Sequence, residues 1–185
     1  MKTMETNRSE WDNSFERRCI AALKSMDAPI AGWACGGITD VREDDSDAPL
    51  ALCELCGCSQ VRFVHHMMHP DYPSALDVGC MCAGIMEGDE LAAIERERLA
   101  RNRASRKRNF VLHGWERITP NTYMRIYKNY SVRISYEANG YLVRIGACGR
   151  SKKAMVKASL LAAKRRAYDL IDPKGWKMLN ERKVH

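Results

Sequence analysis

The spacing of apolar residues predicts an amphipathic helix near the start of the chain, in residues 8–25. Ser9 is a candidate N-cap, because its hydroxyl can accept a hydrogen bond from a backbone N–H of the first turn. The apolar side of this helix consists of Trp11, Phe15, Cys19 or Ala22, and Leu23. Since Cys19 lies on or near that side, we expect it to pack as a small apolar side chain and not to bind a metal.

Residues 27–47 have neither a helical nor a strand period, and they predict a loop. Glycines and a proline interrupt the segment, and residues 43–47 are mostly acidic. Cys35 has no close cysteine partner, so we expect a buried thiol there, with a stray metal ligand as the alternative.

Residues 49–88 combine short apolar runs with five of the eight cysteines. The runs at 61–64 and 75–78 predict two short strands, and the sequence is typical of a helix from Cys82 until a break near Gly88.

Residues 89–108 predict a long, exposed and basic helix with a narrow apolar stripe of Leu91, Ile94 and Leu99. A helix this polar either bridges two domains or lies against an anion.

Three strand-like runs follow, TYMRIYK, YSVRISYE and YLVRIG. Asn139-Gly140 lies between the second and third runs, and Asn-Gly between alternating runs predicts a β-hairpin. A further helix is predicted from Lys152 to Asp172, ended by Pro173. Its buried side consists of Val156, Leu160, Ala163, Ala167 and Leu170.

The cysteines of residues 49–88 have the spacing of a structural zinc site. Cys53 and Cys56 form a C-x2-C turn, with Gly57 behind it to relieve backbone strain. Cys80 and Cys82 form a second pair at the predicted helix start, so the expected ligands of a structural Zn²⁺ are Cys53, Cys56, Cys80 and Cys82. Cys58 or a nearby histidine remains an alternative fourth ligand.

A knuckle, two strands and ligands at a helix start resemble a treble-clef zinc module. The predicted fold class is therefore α+β, a treble-clef-like zinc module followed by a small α-β-β-β-α domain. The expected segments are an N-terminal helix with an acidic loop (1–48), the zinc module (49–88), a basic linking helix (89–110) and the strand-rich domain (111–185).

Net charge divides sharply along the chain. The total is +7, but residues 1–90 carry −9 and residues 91–185 carry +16. A region this basic favours contact with nucleic acid, although a solvated surface is the simpler alternative. The candidate contact residues are Arg101, Arg103, Arg106, Lys107, Arg108, Lys152, Lys153, Lys157, Arg165 and Arg166.

The remaining composition favours a reducing compartment. No apolar run approaches the roughly 20 residues of a membrane span, and the N-terminus lacks an apolar signal core. Cysteines in such a chain are better explained as metal ligands and buried thiols than as disulfides. We therefore expect a cytoplasmic protein.

The histidines of the cysteine-rich module suggest a second chemistry. A treble clef with a histidine at a strand end resembles the HNH-type nucleases, in which that histidine activates water, and His66 is the candidate base. The helix after Cys82 offers no His or Asn before Asn102 to complete the cation site. A structural role for the histidines is therefore favoured.

Two further resemblances concern larger segments. The pattern CELCG…VGCMCAG resembles a group of uncharacterised bacterial and phage proteins with zinc-ribbon-like modules. Residues 120–172, about a third of the chain, resemble the end of a double-stranded-RNA-binding domain. The matching residues are Gly149, Ser151, Lys152, Lys153 and Lys157, followed by Ala162, Ala163 and Ala167.

This second resemblance implies that Ser151 caps a helix whose lysines contact the phosphate backbone. The sequence as a whole thus favours a non-enzymatic, zinc-containing nucleic-acid-binding protein. The alternatives are an adaptor or inhibitor that docks on an acidic protein partner in phage–host conflict and, less favoured, an HNH-like metal-dependent nuclease.

Overall fold

The computed structural model describes residues 3–147 and 149–173, with side chains from Ser14 onward. Within these residues the chain is mixed α+β, with four helices and two antiparallel sheets. It forms two compact units, Met1–Asn102 and Arg103–His185. No helix in this described part combines the length and apolar composition needed to cross a membrane.

The helices are α1 (Thr3–Ser25), α2 (Cys80–Glu87), α3 (Glu90–Leu112) and α4 (Leu160–Ile171). The strands are β1 (Ala34–Asp40), β2 (Phe63–Met68), β3 (Leu76–Val78), β4 (Glu116–Thr119), β5 (Thr122–Tyr127), β6 (Tyr130–Glu137), β7 (Gly140–Ala147) and β8 (Arg150–Val156).

The first unit contains a three-stranded sheet in the order β1-β2-β3. β1 lies inside residues 27–47, so the prediction of a loop there was wrong. Its sequence, ACGGITD, carries two glycines and a bulge between Cys35 and Gly37, which hide the strand period. The strand forms because its backbone pairs with β2 along most of its length.

The core of the first unit is centred on α2, which packs against α1, β1 and β2. The predicted apolar side of α1 is confirmed for the described side chains, since Cys19 and Leu23 are fully buried and Phe15 and Ala22 pack against them. The side chain of Trp11 lies outside the described residues. Residue Ser9 lies inside the helix, which begins at Thr3, so it is not the N-cap.

The predicted basic helix is confirmed as α3, although its narrow apolar stripe is not its buried side. Leu91 is 79% exposed, and Ile94 and Leu99 are also exposed. The helix instead buries Ala93 and Glu97 against the first unit's interior. A small residue and a paired carboxylate allow this packing without a continuous apolar stripe.

The second unit is built on a five-stranded meander, in the order β4-β5-β6-β7-β8. The three predicted runs are confirmed as β5, β6 and β7, while β4 and β8 were not foreseen. The predicted hairpin is also confirmed, with Ala138 and Asn139 as its two-residue turn. Gly140 begins β7, where a Cβ would lie 2.6 Å from the carbonyl oxygen of Val156 on β8.

The predicted helix over residues 152–172 was wrong in its first third. These residues continue β8, which pairs with β7 in register from Arg150 to Val156. The helix begins only after Ser159, whose Oγ accepts a hydrogen bond from Ala162 N at 3.1 Å. Strand pairing thus overrides a local sequence that is equally compatible with a helix. The end of the helix, just before Pro173, is confirmed.

One face of the meander forms the core of the second unit. Alternate residues of β6 and β7 are fully or almost fully buried, and they are Val132, Ile134, Val143 and Ile145. Helix α4 covers this face with Ala163, Ala167 and Tyr168. Because neighbouring strand residues point to opposite faces, the intervening residues lie on the other face, which we call the outer face.

Candidate metal centre and candidate basic surface

Three cysteines of the first unit converge, and we call Cys53, Cys56 and Cys82 the three-cysteine group. Their sulfur atoms all lie within 4.8 Å of one another, so the group can hold a metal ion. Cys53 and Cys56 lie on a tight turn in which Gly57, at φ +71°, donates its N–H to Cys53 O at 2.9 Å. Glycine adopts this left-handed conformation without a steric penalty.

Two sulfur separations at Cys82 are close to the edge length of a tetrahedral thiolate site. Cys53 Sγ lies 3.6 Å from Cys82 Sγ, and Cys19 Sγ lies 3.9 Å from Cys82 Sγ. A tetrahedron with zinc–sulfur bonds of about 2.3 Å has edges of about 3.8 Å. Cys19, on α1, thus lies beside Cys82, but its sulfur does not share the mutual 4.8 Å spacing of the three-cysteine group. No spacing pattern links Cys19 to the group, because Cys19 precedes Cys53 by 34 residues.

Hydrogen bonding within the group stabilises a thiolate. The hydrogen bond shared with Cys82 lowers the pKa of Cys53 to about 5, although burial opposes the shift. The backbone N–H of Gly79 also donates to Cys53 Sγ, at 3.4 Å. The same shared hydrogen bond, together with burial, raises the pKa of Cys82. N–H groups aimed at a sulfur favour its charged form, which is the form that binds metals.

Cys80 lies apart from the three-cysteine group. Its sulfur is grouped instead with donor atoms of His65 and Glu97, all within 4.8 Å of one another. Burial, followed by the charge of Glu97, raises the pKa of Cys80 to about 11. Cys80 and Cys82 occupy the first and third positions of α2. At about 3.6 residues per turn their side chains diverge by roughly 200°.

The other candidate ligands fall outside both groups in the described part of the chain. Cys58 is exposed, and its carbonyl accepts a hydrogen bond from Cys53 N at 2.7 Å. Cys35 is buried and donates its thiol hydrogen to Gly37 O at 3.2 Å. Cys35 thus has the environment of a structural thiol.

His66, the candidate base, is engaged at both ring nitrogens. Its Nδ1 lies 2.6 Å from Asp77 Oδ1, and its Nε2 lies 2.7 Å from Thr39 Oγ1. Each strand of the first sheet thus supplies one member of a hydrogen-bonded chain. Within the described residues His66 belongs to neither metal-binding group, and a base would have to release Thr39 to contact water.

Several of the predicted nucleic-acid contact residues form ion pairs within the second unit. Arg103 Nη2 and Lys107 Nζ lie 2.6 and 3.0 Å from the carboxylate of Asp169. Arg106 pairs with Asp172 at 3.2 Å. Lys107 is 5% exposed, so this lysine holds α3 to α4 and is not displayed to a ligand.

The remaining predicted contact residues differ in exposure. Arg101 pairs with Glu97 and lies over the ring of Phe63 at 5.3 Å. Lys152 donates to the carbonyl oxygen of Leu170 at 2.8 Å. Arg165 is half-buried. Arg101, Arg106 and Lys152 are exposed despite these partners, and the other exposed members of the set are Arg108, Lys153, Lys157 and Arg166.

The outer face carries a row of cations that sequence reasoning missed in part. Arg133 on β6 lies directly opposite Arg144 on β7, which in turn lies directly opposite Lys153 on β8. All three are exposed, and we call them the basic row. The hairpin could have revealed the first pair, because a two-residue turn at 138–139 places residue 133 opposite residue 144.

A row of small residues lies beside the basic row on the same face. Ser131, Gly146 and Ser151 are directly opposite one another on the same three strands, and both serines are exposed. Arg144 also pairs with Glu137 at 3.2 Å, with both side chains more than 40% exposed. Such a surface ion pair is worth about 0–1 kcal/mol, so Arg144 can turn to another anion at little cost.

Comparison with known proteins adds no relative, because no family model, no curated protein and no solved structure matches this chain. The resemblances that the sequence suggests therefore stay predictions. Function has to be inferred from the two sets of residues just described.

Proposed function

We propose that this chain is a zinc-stabilised protein that binds the phosphate backbone of nucleic acid with the outer face of its five-stranded sheet. The observation that carries the proposal is the basic row. It is supported by the charge of the second unit, since residues 103–185 carry 20 Lys/Arg against 5 Asp/Glu. The protein binds and does not convert its ligand.

The basic row brings three like charges together, and the exposed pair of Arg144 with Glu137 offsets little of their repulsion. Like charges directly opposite each other on adjacent strands are destabilising. Strands lie about 4.8 Å apart, so the row spans roughly 10 Å across three strands. A polyanion offsets this repulsion, and the hydroxyls of Ser131 and Ser151 beside the row can donate hydrogen bonds to phosphate oxygens.

The composition of the outer face favours backbone contact over base stacking. Sheets that bind single strands place aromatic side chains under the bases. From β5 to β8, the described outer-face positions include no aromatic residue; their apolar members are Met124, Ile126, Leu142 and Met155. We therefore expect binding to duplexes through charge and shape, with little sequence preference.

The first unit contributes a structural zinc site in this proposal. The ligands are Cys53, Cys56 and Cys82, and a bound ion would crosslink the cysteine turn and α2. We propose Cys19 as the fourth ligand, because its sulfur lies 3.9 Å from that of Cys82 and would have to move closer to the other two. The order of a cysteine turn, the β2–β3 hairpin and a ligand on the first turn of α2 supports a treble-clef-like module. Closed thiolate coordination makes the role of this ion structural.

The test is fluorescence anisotropy of the full chain with labelled duplex DNA and duplex RNA at increasing NaCl. Binding is expected to weaken steeply with salt, because cations that contact phosphates release counterions. The double variant Arg133→Ala/Arg144→Ala is expected to bind about 10- to 100-fold more weakly, with the salt slope reduced by about two.

The matched control is Arg98→Ala. Arg98 is an exposed arginine whose surface ion pair with Glu95 resembles that of Arg144 with Glu137, but it lies outside the sheet. This variant should bind like the wild type. Equal binding by the double variant, or no salt-dependent binding to either duplex, would contradict the proposal. Binding to an acidic protein, lost in the double variant while nucleic acid is not bound, would favour the adaptor.

A further inference from the structure

A second set of metal-binding side chains lies in the first unit, apart from the three-cysteine group. His65 on β2, Cys80 at the start of α2 and Glu97 on α3 bring a ring nitrogen, a sulfur and a carboxylate oxygen within 4.8 Å of one another. His65 is fully buried, Glu97 is 9% exposed and Cys80 is half-buried. Three separate elements thus converge with one donor atom each.

The donor separations suit a coordination sphere better than a direct hydrogen bond. His65 Nε2 lies 3.4 Å from Glu97 Oε2, whereas hydrogen bonds between charged nitrogen and oxygen groups are typically about 2.8 Å long. Zinc binds nitrogen and carboxylate oxygen at about 2.0–2.2 Å, which gives a tetrahedral edge of about 3.4 Å. The pair is therefore spaced like two ligands of one ion.

The ring of His65 has an unmet requirement. Within the described residues, its buried Nδ1 has no hydrogen-bond partner, and Nε2 has only the long contact to Glu97. A buried polar atom without a partner costs about 1–3 kcal/mol, and native structures usually avoid it. A metal ion bound to Nε2, the nitrogen that faces Glu97, would replace its one long contact with a strong partner.

The surroundings of Glu97 are those of a supported ligand. Its second oxygen, Oε1, accepts a hydrogen bond from Arg101 Nε at 2.8 Å. Ligating carboxylates in metal sites are commonly held by such outer partners. A thiolate, a carboxylate and a neutral imidazole also balance the charge of a divalent ion, so the filled site would bury little net charge.

We propose that His65, Cys80 and Glu97 bind a second divalent transition-metal ion, separate from the ion of the three-cysteine group. The mixed sulfur, nitrogen and oxygen donors favour a borderline cation such as Zn²⁺ or Co²⁺ over Mg²⁺ or Ca²⁺. Three protein donors leave one tetrahedral position for water or a small ligand. The half-buried Cys80 side of the site provides the route of entry.

The test begins with native mass spectrometry of the purified full chain supplied with Zn²⁺. The wild type is expected to hold two ions per chain, and Cys80→Ser and Glu97→Gln are each expected to hold one. The matched control is Cys58→Ser, an exposed cysteine outside both groups, which should keep two ions. Glu97→Gln keeps the size of the side chain and tests the site without removing a thiol.

Substitution with Co²⁺ identifies which ion is lost, because thiolate-to-cobalt absorption reports the number of sulfur ligands. In Cys80→Ser the remaining ion should keep the full tetrathiolate absorption. A wild type with one ion would overturn the proposal. Reduced tetrathiolate absorption in Cys80→Ser would also overturn it, because Cys80 would then belong to the first site.

Discussion

The two units, residues 1–102 and 103–185, differ in the residue types of their cores and in their charge. The first unit carries 10 Lys/Arg against 18 Asp/Glu, and its core includes four cysteines beside apolar residues. The second unit carries 20 against 5, and its core consists of aliphatic and aromatic side chains. One unit therefore places its reactive side chains inside, and the other displays its charge on a regular sheet.

This difference follows from how much regular structure each unit has. The first sheet has three strands, one of them the three-residue β3, so backbone pairing crosslinks little of the unit. Small cores of this kind commonly depend on a metal or another crosslink. The second sheet has five strands covered by α4, and hydrophobic burial can hold it without a metal.

Disruption of the three-cysteine group should produce the largest difference in stability between the two units. Cys82→Ser is expected to unfold the first unit and leave the second folded, because structural zinc contributes about 10–16 kcal/mol to small domains that bind it. In a two-dimensional ¹H–¹⁵N NMR spectrum, the amide signals of β1–β3 should collapse while those of β5–β8 keep their dispersion.

Cys58→Ser is the control for that experiment, since Cys58 is exposed and outside the group. Its spectrum should match the wild type. Loss of both sets of signals in Cys82→Ser would show that the second unit depends on the first, and retention of both would refute the structural role of the ion.

Asp169→Asn should destabilise the second unit without affecting the first. This carboxylate pairs with Lys107, which is buried, and with Arg103. Loss of one partner of a buried pair costs about 3–5 kcal/mol. Because Asp169 is partly exposed, we expect about 2–3 kcal/mol, measured by urea unfolding followed through the NMR signals of β5–β8.

The control is Glu137→Gln, which removes the carboxylate of an exposed pair and should cost less than about 1 kcal/mol. A cost below this for Asp169→Asn would mean that the basic residues of α3 are available to a ligand after all. In both variants the NMR signals of β1–β3 should report the same urea midpoint of unfolding as in the wild type.

The smallest expected effect concerns the start of α4. Ser159→Ala should cost about 1 kcal/mol of the second unit's stability, because Ser159 caps the helix. Ser151→Ala, at the cap that the sequence suggested, should change stability by less than about 0.5 kcal/mol. The same unfolding measurement decides which serine is the N-cap of the helix. A larger loss of stability for Ser151→Ala would support a helix that begins near residue 152.

Elements with a strong local period could be predicted from the sequence. The apolar side of α1 around Cys19 and Leu23, the strands β5–β7 and the hairpin at Asn139 follow from spacing alone. β1 and β8 could not be predicted in the same way, because they depend on pairing with distant strands. The buried face of α3 in the first unit was also hidden, since its buried members there are Ala93 and the paired Glu97.

The candidate sites show the same limit. Cys53, Cys56 and Cys82 could be grouped by their spacing in the sequence. Cys80 and Cys82 are two residues apart on a helix, so their side chains point in different directions, and this too could be predicted from the sequence. His65 and Glu97 reach their group through tertiary packing, which leaves no local signal, and the same holds for the contact of Cys19 with Cys82. Part of the basic row could be predicted from the sequence, because the hairpin fixes the pairing of Arg133 with Arg144. It does not fix the pairing of Arg144 with Lys153.

The two-residue turn at Ala138 and Asn139 has a consequence for which length changes the chain tolerates. A one-residue insertion or deletion that shifted the β6–β7 register would exchange the faces of one strand. Arg144 would then enter the position of its buried neighbours, and Val143 would face solvent. Loops at sheet ends usually accept insertions freely. Here the length of the turn also decides which side chains of the sheet face solvent.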